Sequence, residues 1–225
     1  MVYFNHLNPR LGVAMYIAIE GVIGVGKTTL ARLLQNSFDA ELLLEIFEEN
    51  PFLSNFYGDR ARYAFQTQIF FLLSRYHQQR KGVGDALAEN PWLISDYTFE
   101  KDALFAEVNL NGDELEMYHK VHEALAEKIT KPDLIVYLKA DTEVLMHRIA
   151  QRDRPYERQM DINYIDTLNQ TYEMHFPNTP HGNVLTINTN DLDYVRRKED
   201  LDQVDRQIRQ ALKMAPFQES LPIDL

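Results

Sequence analysis

Cysteine is absent from the 225-residue chain, which excludes a disulfide framework, thiolate nucleophiles and Cys-ligated zinc. Long apolar runs are missing too: no stretch approaches the roughly 20 apolar residues that a membrane-spanning helix needs, so no membrane partner is expected. Basic residues are scarce, 23 Lys and Arg against 34 Asp and Glu, and the formal net charge is −11. A nucleic acid polymer is bound through Lys and Arg that neutralise its phosphates, so none is expected here. No basic segment followed by an apolar stretch and a small-residue cleavage site opens the sequence, and a cytoplasmic location is the expectation. Internal repeats, low-complexity tracts and hairpin signals are also lacking. What remains is an ordinary globular composition, 45% hydrophobic and 25% charged, in a length that fits one domain. The expected division is a 1–14 N-terminal extension without periodicity, a single domain over 15–213, and a 214–225 tail. Met15 is a second candidate start.

The apolar pattern alternates short strands with helices. Met15-Tyr16-Ile17-Ala18-Ile19-Glu20 reads as a strand, Lys27 to Phe38 as a helix carrying Leu30, Leu33 and Leu34 at helical spacing, and Leu42-Leu43-Leu44 as a second strand. Arg60 to Arg80 lacks Gly and Pro, and its apolar residues recur at helical spacing. Asn90-Pro91 separates it from strand Trp92 to Asp96, and Lys131-Pro132 precedes the strand Asp133 to Leu138. Helices are predicted near 101–109, 113–129, 141–151, 161–176 and 199–213, a polar loop at 152–160 and a last strand at 184–188. This order argues for a parallel sheet covered on both faces.

Gly21-Val22-Ile23-Gly24-Val25-Gly26-Lys27-Thr28 fits G-x-x-x-x-G-K-[ST] and lies where that pattern has a mechanism, after a strand and opening a helix. Glycines let the backbone approach an anion, so that its N–H groups and the positive end of the helix face phosphate. Lys27 would then balance charge on the β- and γ-phosphates, and the Thr28 hydroxyl could ligate Mg²⁺. Thr29 follows in the same turn. The motif establishes nucleotide phosphate binding without fixing the reaction.

Further groups stand in order along the chain: Glu45 with Glu48-Glu49-Asn50-Pro51-Phe52, then Tyr57, Gln68 and Arg75, then Ser95-Asp96-Tyr97, then Arg148, Arg152 and Arg154. With the phosphate loop, this ordered set resembles the deoxynucleoside kinase family, in particular the bacterial deoxyadenosine, deoxyguanosine and deoxycytidine kinases. The resemblance implies an α/β fold of P-loop NTPase type, a doubly wound parallel sheet with helices on both faces and an Arg-rich lid. It implies transfer of the γ-phosphate of ATP, with Mg²⁺, to the 5′-hydroxyl of a deoxyribonucleoside, in nucleotide salvage, with a purine as the expected base. Glu45 takes the place of the base that removes the hydroxyl proton. Tyr57 and Glu157 match contacts to the sugar, Gln68 and Arg75 contacts to the nucleobase, and Asp102 the acid that holds Arg75. Phe105 matches a ring stacked on the base. Asp96 matches an acid that holds Mg²⁺ together with Thr28. Lys27, Arg148, Arg152 and Arg154 would stabilise the transferring phosphoryl group, and Asp193-Tyr194 lie in a segment that resembles the adenine-binding loop. A homodimer is a further implication.

One position departs from the pattern. Many members place an arginine directly after the acid of the third strand, where this chain has Tyr97, as some bacterial deoxyguanosine kinases also do. A nucleoside monophosphate kinase of the thymidylate kinase type is the alternative, and it would need extra positive charge for the acceptor phosphate. Glu45, Glu48 and Glu49 instead make the acceptor side acidic. A non-catalytic P-loop nucleotide-binding regulator is the second alternative; it gives no use to Glu45, Gln68 and Glu157 together. Histidines such as His77, His119 and His122 have no role in any of these readings.

Overall fold

The computed structural model describes residues 14–46, 50–158, 160–178 and 183–214. Five strands, β1 (Met15–Glu20), β2 (Glu41–Leu43), β3 (Trp92–Ser95), β4 (Leu134–Lys139) and β5 (Val184–Asn188), form one parallel sheet in the order β2-β3-β1-β4-β5. Among the described residues, eight α-helices connect and flank them: α1 (Lys27–Phe38), α2 (Leu53–Gly58), α3 (Arg60–Glu89), α4 (Lys101–Asn109), α5 (Gly112–Ala126), α6 (Thr142–Arg152), α7 (Ile162–His175) and α8 (Lys198–Ala211). This is the expected doubly wound P-loop arrangement.

The central strand β1 is buried at all six positions, which is why it reads as a continuous apolar run and not as an alternation. Its alternate side chains serve two cores. Ile17 and Ile19 join the main core with Leu30, Leu34, Ile94 and Val136, while Tyr16 and Ala18 pack with Leu93 and with Val83 of α3. Asp133, just before β4, accepts a hydrogen bond from the Tyr16 N–H at 2.8 Å and fixes the register at the strand's start.

The structure differs from the sequence reading in four places. Helix α3 does not stop near Arg80 but runs on through Gly82 and Gly84 to Glu89. Glycine costs a helix interior about 1 kcal/mol against alanine, and here packing offsets it: Val83 is buried, and a Cβ on Gly82 would lie 2.8 Å from Leu43. Helix α2 is a six-residue turn with too little periodicity to be read from sequence. Helix α5 ends at Ala126, three residues early. The loop after α6 contains a 3-10 turn at Pro155–Glu157.

The sheet order brings the C-terminal ends of β1, β2 and β3 together. The phosphate loop, Glu45 and Asp96 follow those three ends, along the edge where open α/β sheets keep their ligands.

Candidate active site

The phosphate loop leaves β1 at Gly21 and enters α1 at Lys27. Gly24 and Gly26 have φ of +89° and +102°, in the left-handed region. A Cβ on Gly24 would lie 2.9 Å from the Leu145 carbonyl oxygen, and one on Gly26 would meet the Tyr194 hydroxyl, so both positions need glycine for conformation and for space. No side chain caps the N-terminus of α1, which leaves its first N–H groups and its positive end facing the loop. Below the loop, the fully buried Glu20 carboxylate accepts hydrogen bonds from the Gly21 N–H at 3.0 Å and from the Thr98 N–H at 2.5 Å. That contact ties the loop to the segment after β3. Lys27 Nζ donates to the carbonyls of Gly21 at 2.6 Å and Val22 at 3.2 Å. Burial, helped by the positive charge of Lys101 nearby, pulls its ammonium down to about 8.

Beside the loop lies a cavity of about 300 Å³. The loop contributes Ile23, Gly24, Gly26, Lys27, Thr28 and Thr29; α3 contributes Gln68, Phe71 and Arg75; Leu53 and Tyr57 of α2, Lys101 and Phe105 of α4, and Glu45 and Asp96 complete the wall with Arg152, Arg154, Tyr156 and Glu157. The sequence therefore singled out most of the side chains that converge here. Val22 and Val25 are buried in the loop's base.

Glu45 joins the two halves of this cavity. Its backbone N–H donates to Asp96 Oδ1 at 2.8 Å, and the other Asp96 oxygen accepts a short hydrogen bond from the Thr28 hydroxyl. Its carboxylate accepts at Oε1 from Arg75, with Nε at 2.9 Å, and at Oε2 from Lys101 Nζ at 2.5 Å. Burial alone would raise the Glu45 carboxyl. The Arg75 and Lys101 charges outweigh that and hold it well below the usual carboxylate range. Arg75 Nη1 also forms an ion pair with Asp102, whose side chain is fully buried.

On the α3 side, Gln68 is 2% exposed and its Oε1 has no hydrogen-bond partner. A buried amide oxygen left unpaired costs about 1–3 kcal/mol, which a ligand donor would recover. Phe71 lies 4.5 Å from the Arg75 guanidinium, and the Tyr57 and Tyr156 rings stack at 6.1 Å. Burial pushes the Tyr57 hydroxyl well above its ordinary pKa, so it is a neutral hydrogen-bonding group.

At the mouth, Arg152 donates to both Glu157 oxygens at 2.7 and 2.8 Å, and Arg154 lies 3.7 Å from the same carboxylate. Arg148 does not line the cavity. Its guanidinium donates to the Thr189 carbonyl at 2.6 Å and hydroxyl at 3.0 Å, and reaches the Val25 carbonyl at 3.4 Å. Tyr194 lies under the loop as well, with its hydroxyl 3.3 Å from the Val25 carbonyl oxygen. The Asp193 N–H donates to Asp200 Oδ2 at 2.6 Å. Arg148 and Tyr194 are thus behind the loop, and neither they nor Asp193 line the cavity. Glu48 and Glu49 lie outside the described residues.

Among the described residues, no three His, Cys, Asp or Glu side chains cluster as a metal site. The oxygen pair Thr28 and Asp96 is the donor set at the loop, and it suits a hard cation held largely by phosphate oxygens and water. His122 stacks on Phe99 with centroids 4.8 Å apart, and neither it, His77 nor His119 reaches the cavity.

Leu53, Phe71, Lys101 and Tyr156 line the cavity and were not singled out from sequence. Lys101 precedes Asp102, and nothing in the local pattern says that its ammonium reaches Glu45. Tyr97 has a traceable role: its hydroxyl donates to Gln78 Oε1 at 2.6 Å, and Gln78 Nε2 donates to the Leu44 carbonyl at 2.7 Å. This chain holds the backbone just before Glu45. Tyr97→Phe leaves the Gln78 oxygen without that donor, a loss of about 1–2 kcal/mol. Thermal denaturation should show the midpoint lowered by roughly 2–8 °C.

A phosphate loop, a carboxylate beside it and a cavity half walled by aromatic and amide side chains define a P-loop phosphotransferase. A model of the family described as deoxynucleoside kinase matches residues 17–213. The chain belongs to the deoxynucleoside kinase family. It is 35% identical over 206 residues to a deoxyguanosine kinase of Bacillus subtilis (strain 168), covering 90% of this chain and all of that one. A deoxyadenosine kinase of Dictyostelium discoideum is 33% identical over 162 residues, 70% of this chain and 64% of its own. Among solved structures, deoxyadenosine kinase from M. mycoides with bound dCTP aligns with a TM-score of 0.74 at 26% identity, over 87% of this chain and 100% of that one. The protein is an ATP-dependent deoxynucleoside kinase. No helix among its described residues is long and apolar enough to cross a membrane.

Proposed function

We propose that the protein transfers the γ-phosphate of ATP to the 5′-hydroxyl of a purine deoxyribonucleoside, deoxyguanosine or deoxyadenosine, with Glu45 as the base. The observation that carries this reading is the position of Glu45. It is bonded on one side to Asp96 and through it to Thr28 of the phosphate loop, and on the other to Arg75 of the pocket that holds Gln68. A hydroxyl seated between those two halves meets the carboxylate at the point where phosphate arrives.

Both Glu45 oxygens are paired with cations, and an arriving hydroxyl takes the place of one of those contacts. Relief from a cation raises the basicity of the carboxylate. The base then gains proton affinity only when an acceptor is in place. Gln68, with Arg75 held by Asp102, reads the nucleobase edge, since an amide offers a donor and an acceptor side by side. Phe105 packs on the base, and Tyr57 and Glu157 take the sugar hydroxyl. Lys27 turns from the loop carbonyls to the phosphates, and Arg152 and Arg154 close over the transferring group, where fixed donors meet developing charge and water is kept out. Arg148 and Tyr194 brace the loop from behind, and Asp193 lies in the segment next to them. Mg²⁺, held by Thr28, Asp96 and the nucleotide, would neutralise phosphate charge.

Acceptor charge separates this reading from a monophosphate kinase. Arg75 and Lys101, the cations of the nucleoside pocket, are offset by Glu45 and Asp102, which leaves little attraction for an acceptor phosphate. Steady-state assays with ATP and Mg²⁺ on the four deoxynucleosides and their monophosphates test this. Turnover of a purine deoxynucleoside ahead of every monophosphate is expected, and activity confined to monophosphates would move the protein to the other class. The same reading carries one kinase domain over 15–213, a cytoplasmic place in salvage, and a homodimer. Leu73 on α3 and Met117 on α5 are exposed apolar side chains that a dimer interface could cover.

A further inference from the structure

Lys101 is the first residue of α4 and is 6% exposed. Both facts are unfavourable by themselves. A lysine is rarely buried unless paired, and a cation in the first turn of a helix faces the positive end of the dipole. A residue that breaks local rules in this way points to a functional demand. Its ammonium lines the same cavity as Lys27, donates to Glu45 Oε2 at 2.5 Å and lies 5.6 Å from the Phe105 ring. Arg75 is shared between Glu45 and the buried Asp102, whereas Lys101 pairs with Glu45 at its other oxygen. Lys101 and Lys27 are also close enough to repel each other. Lys27, Thr28, Asp96 and Lys101 all line this one cavity.

We propose that Lys101 is a catalytic residue whose ammonium bridges Glu45 and the phosphoryl group in flight. This rests on the reading of Glu45 as the base. As the hydroxyl oxygen bonds to the γ-phosphorus, the bond from phosphorus to the β,γ-bridging oxygen breaks. The hydroxyl proton passes to Glu45, and the electron pair leaves with ADP. Lys101 stays protonated throughout: it directs one N–H to Glu45 and turns another to an equatorial phosphoryl oxygen, where charge grows.

The test is Lys101→Met beside Lys101→Arg, with steady-state kinetics on deoxyguanosine and deoxyadenosine. Calorimetric binding is measured for ATP·Mg²⁺, for the deoxynucleosides, and for the ternary complex of deoxynucleoside, ADP·Mg²⁺ and aluminium fluoride. Removing one donor to a developing charge lowers kcat by about 10²–10³-fold. K101M should show that loss and a comparable loss of affinity for the aluminium fluoride complex, with ATP and deoxynucleoside affinities within threefold of wild type. K101R should retain more activity than K101M. A K101M enzyme within threefold of wild-type kcat overturns the proposal, as does a kcat loss with unchanged affinity for the aluminium fluoride complex. If K101M does not fold, Lys101→Gln takes its place with the same expected loss and the same overturning results. Wild-type protein that phosphorylates no deoxynucleoside removes the function reading and this inference together, whereas wild-type turnover with an unimpaired variant removes the inference alone.

Discussion

Glu45→Gln should lower kcat by about 10²–10⁴-fold, the usual contribution of a positioned general base, while the KM for the deoxynucleoside stays within a few-fold of wild type. The substitution is nearly isosteric and keeps an oxygen for Arg75, so the pocket that binds the base and sugar is preserved. What it removes is the proton acceptor at the junction of the two half-sites. An effect confined to the transition state lowers kcat and kcat/KM equally, and steady-state kinetics on the favoured nucleoside reads both. A variant that keeps a third or more of wild-type kcat would remove Glu45 from the role of base.

The second large effect concerns stability. Arg75→Met removes the cation paired with Asp102, and Asp102 is fully buried. Breaking a buried pair from one side costs about 3–5 kcal/mol because the remaining charge is left uncompensated. For a chain of this size that corresponds to a melting point lower by roughly 6–20 °C. Glu45 suffers less, since Lys101 still holds its other oxygen. Adding Asp102→Asn removes the orphaned charge, and the double variant should recover more than half of the lost stability. Deoxynucleoside affinity should stay low in both, because the group that reads the base is gone. Thermal melts and calorimetry separate the two effects. Wild-type stability in Arg75→Met would show that the Arg75–Asp102 pair does not hold the pocket together.

Much of this was legible in the sequence because its signals are local. The phosphate loop is defined by three glycines, a lysine and a threonine within eight residues, and β1 and β4 are apolar runs that only a buried parallel sheet explains. Arg75 and Gln68, two turns apart on one helix, had to share a face, and both line the cavity. The position of Glu45 and Asp96 at strand ends followed from the strand pattern, and their significance from the family resemblance.

What sequence could not show are contacts that the fold makes between distant residues of unremarkable spacing. Lys101 and Glu45 are 56 positions apart, and their meeting depends on how α4 leaves β3. Tyr97, Gln78 and Leu44 are brought into one chain of hydrogen bonds only by the packing of α3 against β2 and β3. Arg148 and Arg152 are four apart on α6 and looked equivalent, yet Arg152 reaches Glu157 at the mouth while Arg148 reaches Thr189 behind the loop. Helix α3 outlasted its glycines because burial of Val83 and contact with Leu43 outweigh a small local propensity.

The most direct test of the account is to follow ATP·Mg²⁺ and deoxyguanosine or deoxyadenosine with the purified protein by ³¹P nuclear magnetic resonance. ADP and a deoxynucleoside 5′-monophosphate should appear in equal amounts, with no inorganic phosphate released in their place. ADP accompanied by inorganic phosphate and no nucleotide product, or no loss of ATP with either nucleoside, would contradict it.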